Sequence, residues 1–137
     1  RTPDTTVFSN HPAVLVRFEK ALQTISLKGK TWPQRLVDGW TPENCTVLER
    51  EALNSLCAIY LLYYSPHRGG NSVANFHLGN GAKLNRINWA ADLSKKGLRE
   101  SAGLMVNYLY DLDEIESNQE KFAKGEVAHA RVVAKLI

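Results

Sequence analysis

Cysteine is scarce in this chain: its 137 residues contain two, Cys45 and Cys57. The two lie in a segment that predicts one helix, where twelve residues span about 18 Å, which is too far for a disulfide. The four histidines are scattered, and no Cys-x-x-Cys pair occurs, so no group has the spacing of a zinc site or a redox pair. We therefore expect reduced cysteines and no metal.

Long hydrophobic runs and a strong charge excess are also missing. The longest apolar stretch, residues 56–64, is about half of the roughly 18 residues that a membrane-spanning helix needs. The formal net charge is +3, and the Lys and Arg residues are spread along the chain, which does not indicate nucleic-acid binding. With 44% hydrophobic and 23% charged residues, the chain has the composition of a globular domain. We expect a single domain without membrane or nucleic-acid partners.

Two segments carry apolar residues at helical spacing. The first predicts a helix from Pro12 to about Ser26, with proline at a position that tolerates it. The second predicts a helix that Thr41 caps, that Pro42 opens and that continues to about Tyr63. A short helical piece over residues 34–38 should lie between them and end at Gly39, and the proline and glycines of residues 65–70 should end the second helix.

The next part of the chain predicts strands. Asn80-Gly81 separates two β-like runs, residues 73–78 and 82–89, which is a strong hairpin signal. A third run, residues 104–110, would complete a small antiparallel β-meander. Ser117 and Glu120 have the spacing of a capping box before a closing helix, which Gly125 interrupts. The order of helices, strands and a helix predicts an α+β fold.

The predicted strands assign the candidate site residues by alternation. One face of the first strand would hold Val73, Asn75 and His77, and one face of the third would hold Tyr108 and Tyr110. His77 would then combine a proton-transfer group with hydrogen-bond donors that can stabilise an oxyanion. We assign Asn75 and Tyr108 to substrate binding, while the alternative is a structural histidine in a hairpin that only packs.

Further polar groups are weaker candidates. Arg68, in His67-Arg68-Gly69-Gly70, is predicted to bind a phosphate or carboxylate, although a plain surface turn explains the glycines as well. Lys95, Lys96 and Arg99 would form a basic cluster between the second and third strands that could bind nucleotide phosphates. A solvated loop is the simpler explanation. None of the serines Ser55, Ser65, Ser72 and Ser101 lies in a Gly-x-Ser-x-Gly elbow, so no serine dyad is predicted within the chain.

Several short motifs in the central part of the chain occur together in a characteristic order. They are Leu56-Cys57-Ala58, His67-Arg68-Gly69, Val73-Ala74-Asn75-Phe76-His77-Leu78, Asn80-Gly81-Ala82, Arg86-Ile87-Asn88-Trp89, Ala91-Asp92, Gly103-Leu104-Met105, Asn107-Tyr108 and Tyr110. In order and spacing they resemble malonyl-CoA decarboxylases, closely from about Trp40 to Tyr110. The resemblance implies a GNAT-type acyltransferase fold that converts malonyl-CoA to acetyl-CoA and CO2 without a metal or organic cofactor. It also implies that His77 is the proton donor and that Tyr110 borders the acyl group and orients a catalytic side chain.

The chain departs from the family pattern in two places. The family's catalytic serine lies in a Ser-Pro-x-Pro-Gly segment, and its pyrophosphate contact lies in a glycine loop; neither occurs in the sequence. Both precede this region in the family, as does the helical domain through which the family forms tetramers. We therefore expect residues 1–137 to be the C-terminal part of a catalytic domain, inactive alone, with the upstream part of the same enzyme and further copies of it as partners.

Two other functions remain open at this point. One is an acyl-CoA-dependent acyltransferase of the same fold, in which His77 deprotonates an acceptor amine. The other is a non-catalytic structural or assembly module. For location we expect the cytoplasm, because Ile137 follows Ala134-Lys135-Leu136 and spoils a terminal Ser-Lys-Leu signal, while an organelle remains open since a targeting segment is absent or was removed before Arg1.

Overall fold

The computed structural model describes residues 4–26, 34–35, 38–68 and 71–137, except for the side chain of residue 68. In chain order its helices and strands are α1 (Pro12–Ile25), α2 (Val47–Ile59), α3 (Ser65–Arg68), α4 (Ser72–Gly79), β1 (Lys83–Asn88), α5 (Lys95–Ser101), β2 (Met105–Leu109), α6 (Ile115–Ala123) and α7 (Arg131–Ala134). Single 3₁₀ turns occupy Thr6–Phe8 and Pro42–Asn44, and a π-helical segment, Tyr60–Tyr64, joins α2 to α3. The predicted α+β class is confirmed.

The first helix agrees with its prediction. Pro12 is its first residue, and Ser26 caps its end by donating its N–H to the carbonyl of Leu22 at 3.1 Å. Helix α1 packs along α2. Phe8, Val14 and Ile59 are buried together where the two helices meet the N-terminal 3₁₀ turn.

The predicted start of the second helix at Thr41 is wrong. Thr41 and Pro42 begin only a 3₁₀ turn, and α2 starts after Thr46. The Thr46 hydroxyl accepts the N–H of Glu49 at 3.1 Å, and the Glu49 carboxylate accepts the N–H of Thr46 at 3.0 Å, which is a complete capping box. The sequence offers two caps in succession, and the second one, Thr46, starts the helix. Cys45 therefore lies outside α2.

The predicted end of the second helix near Tyr63 is too early. The π-helical segment continues α2, with the N–H of Ser65 bonded to the carbonyl of Tyr60, and α3 then runs to residue 68. Pro66 has no N–H to donate, and it lies where the helix changes from the π to the α pattern. Gly69 and Gly70 lie outside the described residues, as do parts of the predicted helical piece over residues 34–38. The end of that piece is confirmed, because Gly39 has φ +90° and the N–H of Trp40 bonds to the carbonyl of Arg35 at 3.0 Å.

The predicted first strand of the hairpin is a helix, α4. Asn71 caps it by accepting the N–H of Ala74 at 2.9 Å, and Ala74 and Leu78, four residues apart, are the side chains that it buries. Gly81 has φ +95°, and the N–H of Ala82 bonds to the carbonyl of His77 at 3.1 Å. Asn80-Gly81 therefore ends a helix rather than turning a hairpin, since both structures use a left-handed glycine.

The sheet of the described residues has two strands instead of the predicted three. Strands β1 and β2 are antiparallel, and Leu84 pairs with Tyr108. Asn85 is the extra residue of a β-bulge, and its amide donates to the Asn107 side chain at 2.8 Å. On the other edge of β1, Leu84 bonds through its N–H to Ala128 and through its carbonyl to Ala130, so the C-terminal segment borders the sheet.

The main core lies between the sheet, α2 and α4. Its buried members are Ala58, Leu61, Leu62, Ala74, Leu78, Leu84, Val127 and Val133. The closing helix α6 starts at Ile115, so the predicted capping box of Ser117 and Glu120 lies inside it and is wrong as a cap. Gly125, with φ +83°, follows the end of α6, which confirms the predicted interruption.

Candidate active site

The position of His77 follows from the burial of its own helix. Ala74 and Leu78 are 1% and 2% exposed and fix α4 against the core. His77 precedes Leu78 by one residue and therefore lies on a flank of the helix, partly exposed, toward strand β2. Val73, four residues earlier, lies on the same flank. The packing of α4 thus presents the imidazole beside the sheet.

Two tyrosines of β2 and its end contact His77. The ring of Tyr108 stacks on the imidazole, with centroids 4.6 Å apart and planes 24° apart. The ring of Tyr110 meets it edge-on at 67°, and its hydroxyl lies 2.7 Å from Nδ1. With the face covered by Tyr108 and Nδ1 occupied by Tyr110, Nε2 is the imidazole nitrogen left for a reactant.

Strand alternation brings the two tyrosines together, as the sequence predicted. Val106 and Tyr108 are half-buried along β2, whereas Met105, Asn107 and Leu109 are exposed. Burial raises the pKa of Tyr108 to about 12, and the nearby Cys57 thiol adds to this effect. Tyr108 is therefore a neutral phenol at physiological pH.

A cavity of about 540 Å³ lies next to the contact between His77 and the two tyrosines, and Tyr108 is part of its wall. Its lining is mainly apolar and includes Leu56, Cys57, Val73, Val106 and Tyr108. Val73 of α4 and Val106 of β2 both line the cavity. Burial raises the pKa of the Cys57 thiol to about 12, so the thiol stays protonated and unreactive.

Asn75 is separated from His77. Residues two apart share a face of a strand, but on a helix they point about 200° apart at 3.6 residues per turn. The prediction that Asn75 shares a face with His77 is therefore wrong, because the segment is helical. The buried Oδ1 of Asn75 makes no hydrogen bond with the residues that the structure describes.

The remaining candidates are not brought to His77. The side chain of Arg68 lies outside the described part, so its predicted role stays a prediction. Lys95, Lys96 and Arg99 lie on α5 and are exposed, so the predicted loop is wrong.

Three of the four candidate serines bond to the backbone of other residues. Ser55 donates to the carbonyl of Leu136, Ser101 donates to the carbonyl of Gly97 at 3.0 Å, and Ser65 accepts the N–H of Asn71 at 3.1 Å. Ser72 is the exposed first residue of α4. Within the described residues, none of these four hydroxyls bonds to His77.

Sequence reasoning missed that the site forms between a helix and a strand. Phe76, the neighbour of His77 on α4, meets its ring edge-on with centroids 5.3 Å apart. The signal that was available is the Asn71 cap followed by Ala74 and Leu78 at helical spacing.

Within the described residues, no three His, Cys, Asp or Glu side chains are grouped closely enough to hold a metal ion. No helix in the same part of the chain has the length and apolar character to cross a membrane.

Comparisons with known proteins agree on one family. A family model described as the malonyl-CoA decarboxylase C-terminal domain matches residues 9–137. The mitochondrial malonyl-CoA decarboxylase of Mus musculus is 55% identical over 78 residues, which are 56% of this chain and 16% of that protein. The mitochondrial enzyme of Rattus norvegicus is 60% identical over 68 residues, 48% of this chain and 14% of that protein. The aligned part is thus a small share of these relatives' length.

Solved structures give the same picture. The crystal structure of malonyl-CoA decarboxylase from Cupriavidus metallidurans aligns with a TM-score of 0.67 and 35% identity, over 91% of this chain and 31% of that one. The structure from Agrobacterium vitis aligns with a TM-score of 0.61 and 34% identity, over 98% of this chain and 29% of that one.

Proposed function

The chain belongs to the malonyl-CoA decarboxylase family, and from this we propose that it supplies the histidine side of an active site that converts malonyl-CoA to acetyl-CoA and CO2. The observation that carries the proposal is the contact of His77 with Tyr108 and Tyr110, which leaves Nε2 as the free nitrogen of a held imidazole. A held proton donor is what decarboxylation requires after the carbon dioxide has left.

The proposed reaction has two steps. The bond between the malonyl carboxylate and the α-carbon breaks, CO2 leaves, and the electron pair stays on the α-carbon and thioester oxygen as an enolate. The doubly protonated imidazole of His77 then gives its Nε2 proton to the α-carbon, which yields the acetyl thioester and a neutral imidazole that keeps its Nδ1 proton, and solvent returns a proton to Nε2. Hydrogen-bond donors near the thioester oxygen would stabilise the developing charge.

Tyr110 has a role in this proposal as the partner of Nδ1. In the doubly protonated imidazole that donates the proton, the Tyr110 oxygen accepts from Nδ1–H. After Nε2 has given up its proton, Nδ1–H stays bonded to the same oxygen. The contact therefore leaves the Nε2 proton as the one to transfer and holds the ring in one orientation.

The neighbouring cavity supports the proposal through its apolar wall. Val73 and Val106 line it beside Tyr108. Excluding water from the reacting carboxylate strengthens electrostatic interactions and limits proton leakage. Substrate-binding roles for Asn75, Tyr108 and Arg68 were predicted from the sequence. Of these three, Tyr108 contacts His77, Asn75 points away from it, and the side chain of Arg68 lies outside the described part.

The catalytic serine and the pyrophosphate contacts are proposed to come from outside this chain. Ser55, Ser65 and Ser101 bond to other groups, Ser72 is exposed at the start of α4, and the chain covers less than a third of the bacterial structures it matches. We propose that residues 1–137 are the C-terminal part of a GNAT-type catalytic domain, with the upstream part of the same enzyme and a homo-oligomer as partners. The proposed location is the cytoplasm, with an organelle as the alternative because the rodent relatives are named as mitochondrial.

The test is His77→Ala in the full-length enzyme, with His129→Ala as the matched control. His129 is exposed and bonds through Nδ1 to the carbonyl of Val127, away from the tyrosine contacts. We expect the His77 variant to lose kcat by about 10²–10⁴-fold, which is the usual contribution of a general acid, and the control to keep it. Unchanged turnover in a folded His77 variant would sink the catalytic role and favour a structural module. Acyl transfer to an amine without decarboxylation would favour the acyltransferase alternative.

A further inference from the structure

The stacking of Tyr108 on His77 fixes a degree of freedom that the Tyr110 hydrogen bond leaves open. A hydrogen bond to Nδ1 defines one direction in the imidazole plane, but it permits the ring to tilt about that direction. A parallel aromatic surface at 4.6 Å and 24° restricts the tilt. The two contacts together determine where Nε2 points.

Tyr108 is itself firmly held. It pairs with Leu84, which is fully buried and whose backbone bonds to Ala128 and Ala130. Its ring packs against the main core together with Ile87 and Val106. By contrast, Tyr110 follows the end of β2 and is 41% exposed. The stacked tyrosine therefore supplies the more rigid of the two surfaces.

The phenol group of Tyr108 has little direct part in this arrangement. Its hydroxyl makes no hydrogen bond with the described residues, whereas its ring face makes the contact with His77. Burial raises its pKa to about 12, which also makes it a poor source or acceptor of protons near neutral pH. The function of the residue thus lies in its aromatic plane.

From this geometry we propose that Tyr108 is a positioning residue, which acts through the imidazole of His77 and not by binding substrate, an inference that rests on the proposed function. It replaces the substrate-binding role expected from the sequence. The inference predicts that the plane is required, that the hydroxyl is dispensable, and that neither matters once His77 is removed.

The experiment compares Tyr108→Phe with Tyr108→Leu in the full-length enzyme. Phenylalanine keeps the aromatic plane and removes a hydroxyl that has no hydrogen bond with the described residues, so we expect kcat to stay within about threefold. Leucine keeps apolar bulk without a plane, so we expect kcat to fall by about tenfold to a hundredfold with little change in KM. A rise in KM of Tyr108→Phe at constant kcat would overturn the inference in favour of substrate binding.

A double-variant cycle separates this inference from the proposed function. In a His77→Ala background, Tyr108→Leu should have no further effect on kcat, because its route of action is gone. An equal loss in both backgrounds would overturn the positioning role even if His77 is catalytic. If His77→Ala alone has no effect, the proposed function fails first.

A spectroscopic measurement covers the case in which the leucine variant folds poorly. The face of an aromatic ring shifts the proton resonances of a group stacked on it, so the His77 ring protons should lie upfield in the native enzyme. Tyr108→Phe should keep this shift. Its loss in that well-packed variant would contradict the stacked arrangement, and its retention together with full kcat supports it.

Discussion

The hydroxyl of Tyr110 lies 2.7 Å from Nδ1 of His77, although 33 residues separate the two along the chain. The intervening segment contains β1, α5 and β2, so the contact exists only when the antiparallel pair of strands has formed. Because the same hydroxyl can donate to a neutral imidazole and accept from a protonated one, it remains a partner throughout a proton-transfer cycle.

Replacing Tyr110 by Phe should lower activity without disturbing the ring contact. The edge-on ring at 5.8 Å is retained, and only the hydrogen bond to Nδ1 is lost. One such bond contributes about 0.5–1.5 kcal/mol, so we expect a fall in kcat of about three- to tenfold and a changed pH dependence of kcat. Steady-state kinetics of the full-length enzyme over a range of pH, with Tyr64→Phe as the control, measure this. Identical profiles for native enzyme and Tyr110→Phe would exclude an orienting role.

The turn after α4 should tolerate no side chain at Gly81. Its φ is +95°, and an added Cβ would lie 2.6 Å from Cγ2 and 2.8 Å from the carbonyl oxygen of Ile115. Gly39 has a similar φ of +90°, but no described atom lies within 4 Å of its added Cβ. We expect Gly39→Ala to cost about 1 kcal/mol for backbone strain alone and Gly81→Ala at least about 2 kcal/mol, because a clash is added. Urea unfolding of both variants tests the difference, and equal losses would contradict the close packing of α6 on this turn.

Alkaline pH should destabilise the fold through Cys57. Burial raises the pKa of its thiol to about 12, whereas an unfolded chain ionises it near its ordinary value of 9.0. Below that value both states keep the proton; above it the unfolded state releases the proton while the folded state retains it, so stability falls as pH rises from about 9 to about 12. Tyr108, with its pKa also raised by burial, adds to the loss above about pH 10.

The free energy of unfolding measured at about pH 8 and about pH 10.5, under reducing conditions, checks this linkage. We expect Cys57→Val to show a smaller decrease than the native chain, since it fills the same site without a titrating group. Leu56→Val, a neighbouring change that leaves the thiol in place, should keep the native pH dependence. Equal decreases in the native and Cys57→Val chains would show that the thiol is not the linked group.

The elements with an unambiguous local pattern were predictable from the sequence. Helix α1 follows from Pro12 and its apolar spacing, and the side-chain alternation of β2 follows from residues 104–110. Helix α4 was not predictable in the same way, because the six residues 73–78, a short mixture of apolar and polar side chains before Gly79-Asn80-Gly81, fit a strand and a short helix equally. Burial of Ala74 and Leu78 against the sheet decides in favour of the helix, and that contact is tertiary.

The candidate site likewise combines residues that the sequence identifies with contacts that only tertiary packing determines. His77 and Tyr110 could be selected from the sequence because they stand in motifs of the family, and Tyr108 because it shares a strand face with Tyr110. The prediction that Asn75 shares a face with His77 was wrong, since the angular position of Asn75 depends on whether the segment is helical. The stacking of Tyr108 on His77 depends on how α4 lies against β2, and no spacing along the chain encodes that angle.

The β-bulge at Asn85 makes the pairing of β1 with β2 depend on the number of residues in β1. The bulge brings Leu84 and Ile87, three residues apart, into contact with the same core, and it sets which residues of β2 lie beside α4. Removing one residue here would restore regular pairing but shift the tyrosines relative to His77. Insertions and deletions between His77 and the two tyrosines should therefore be rarer among homologues than substitutions of the partly exposed Asn85.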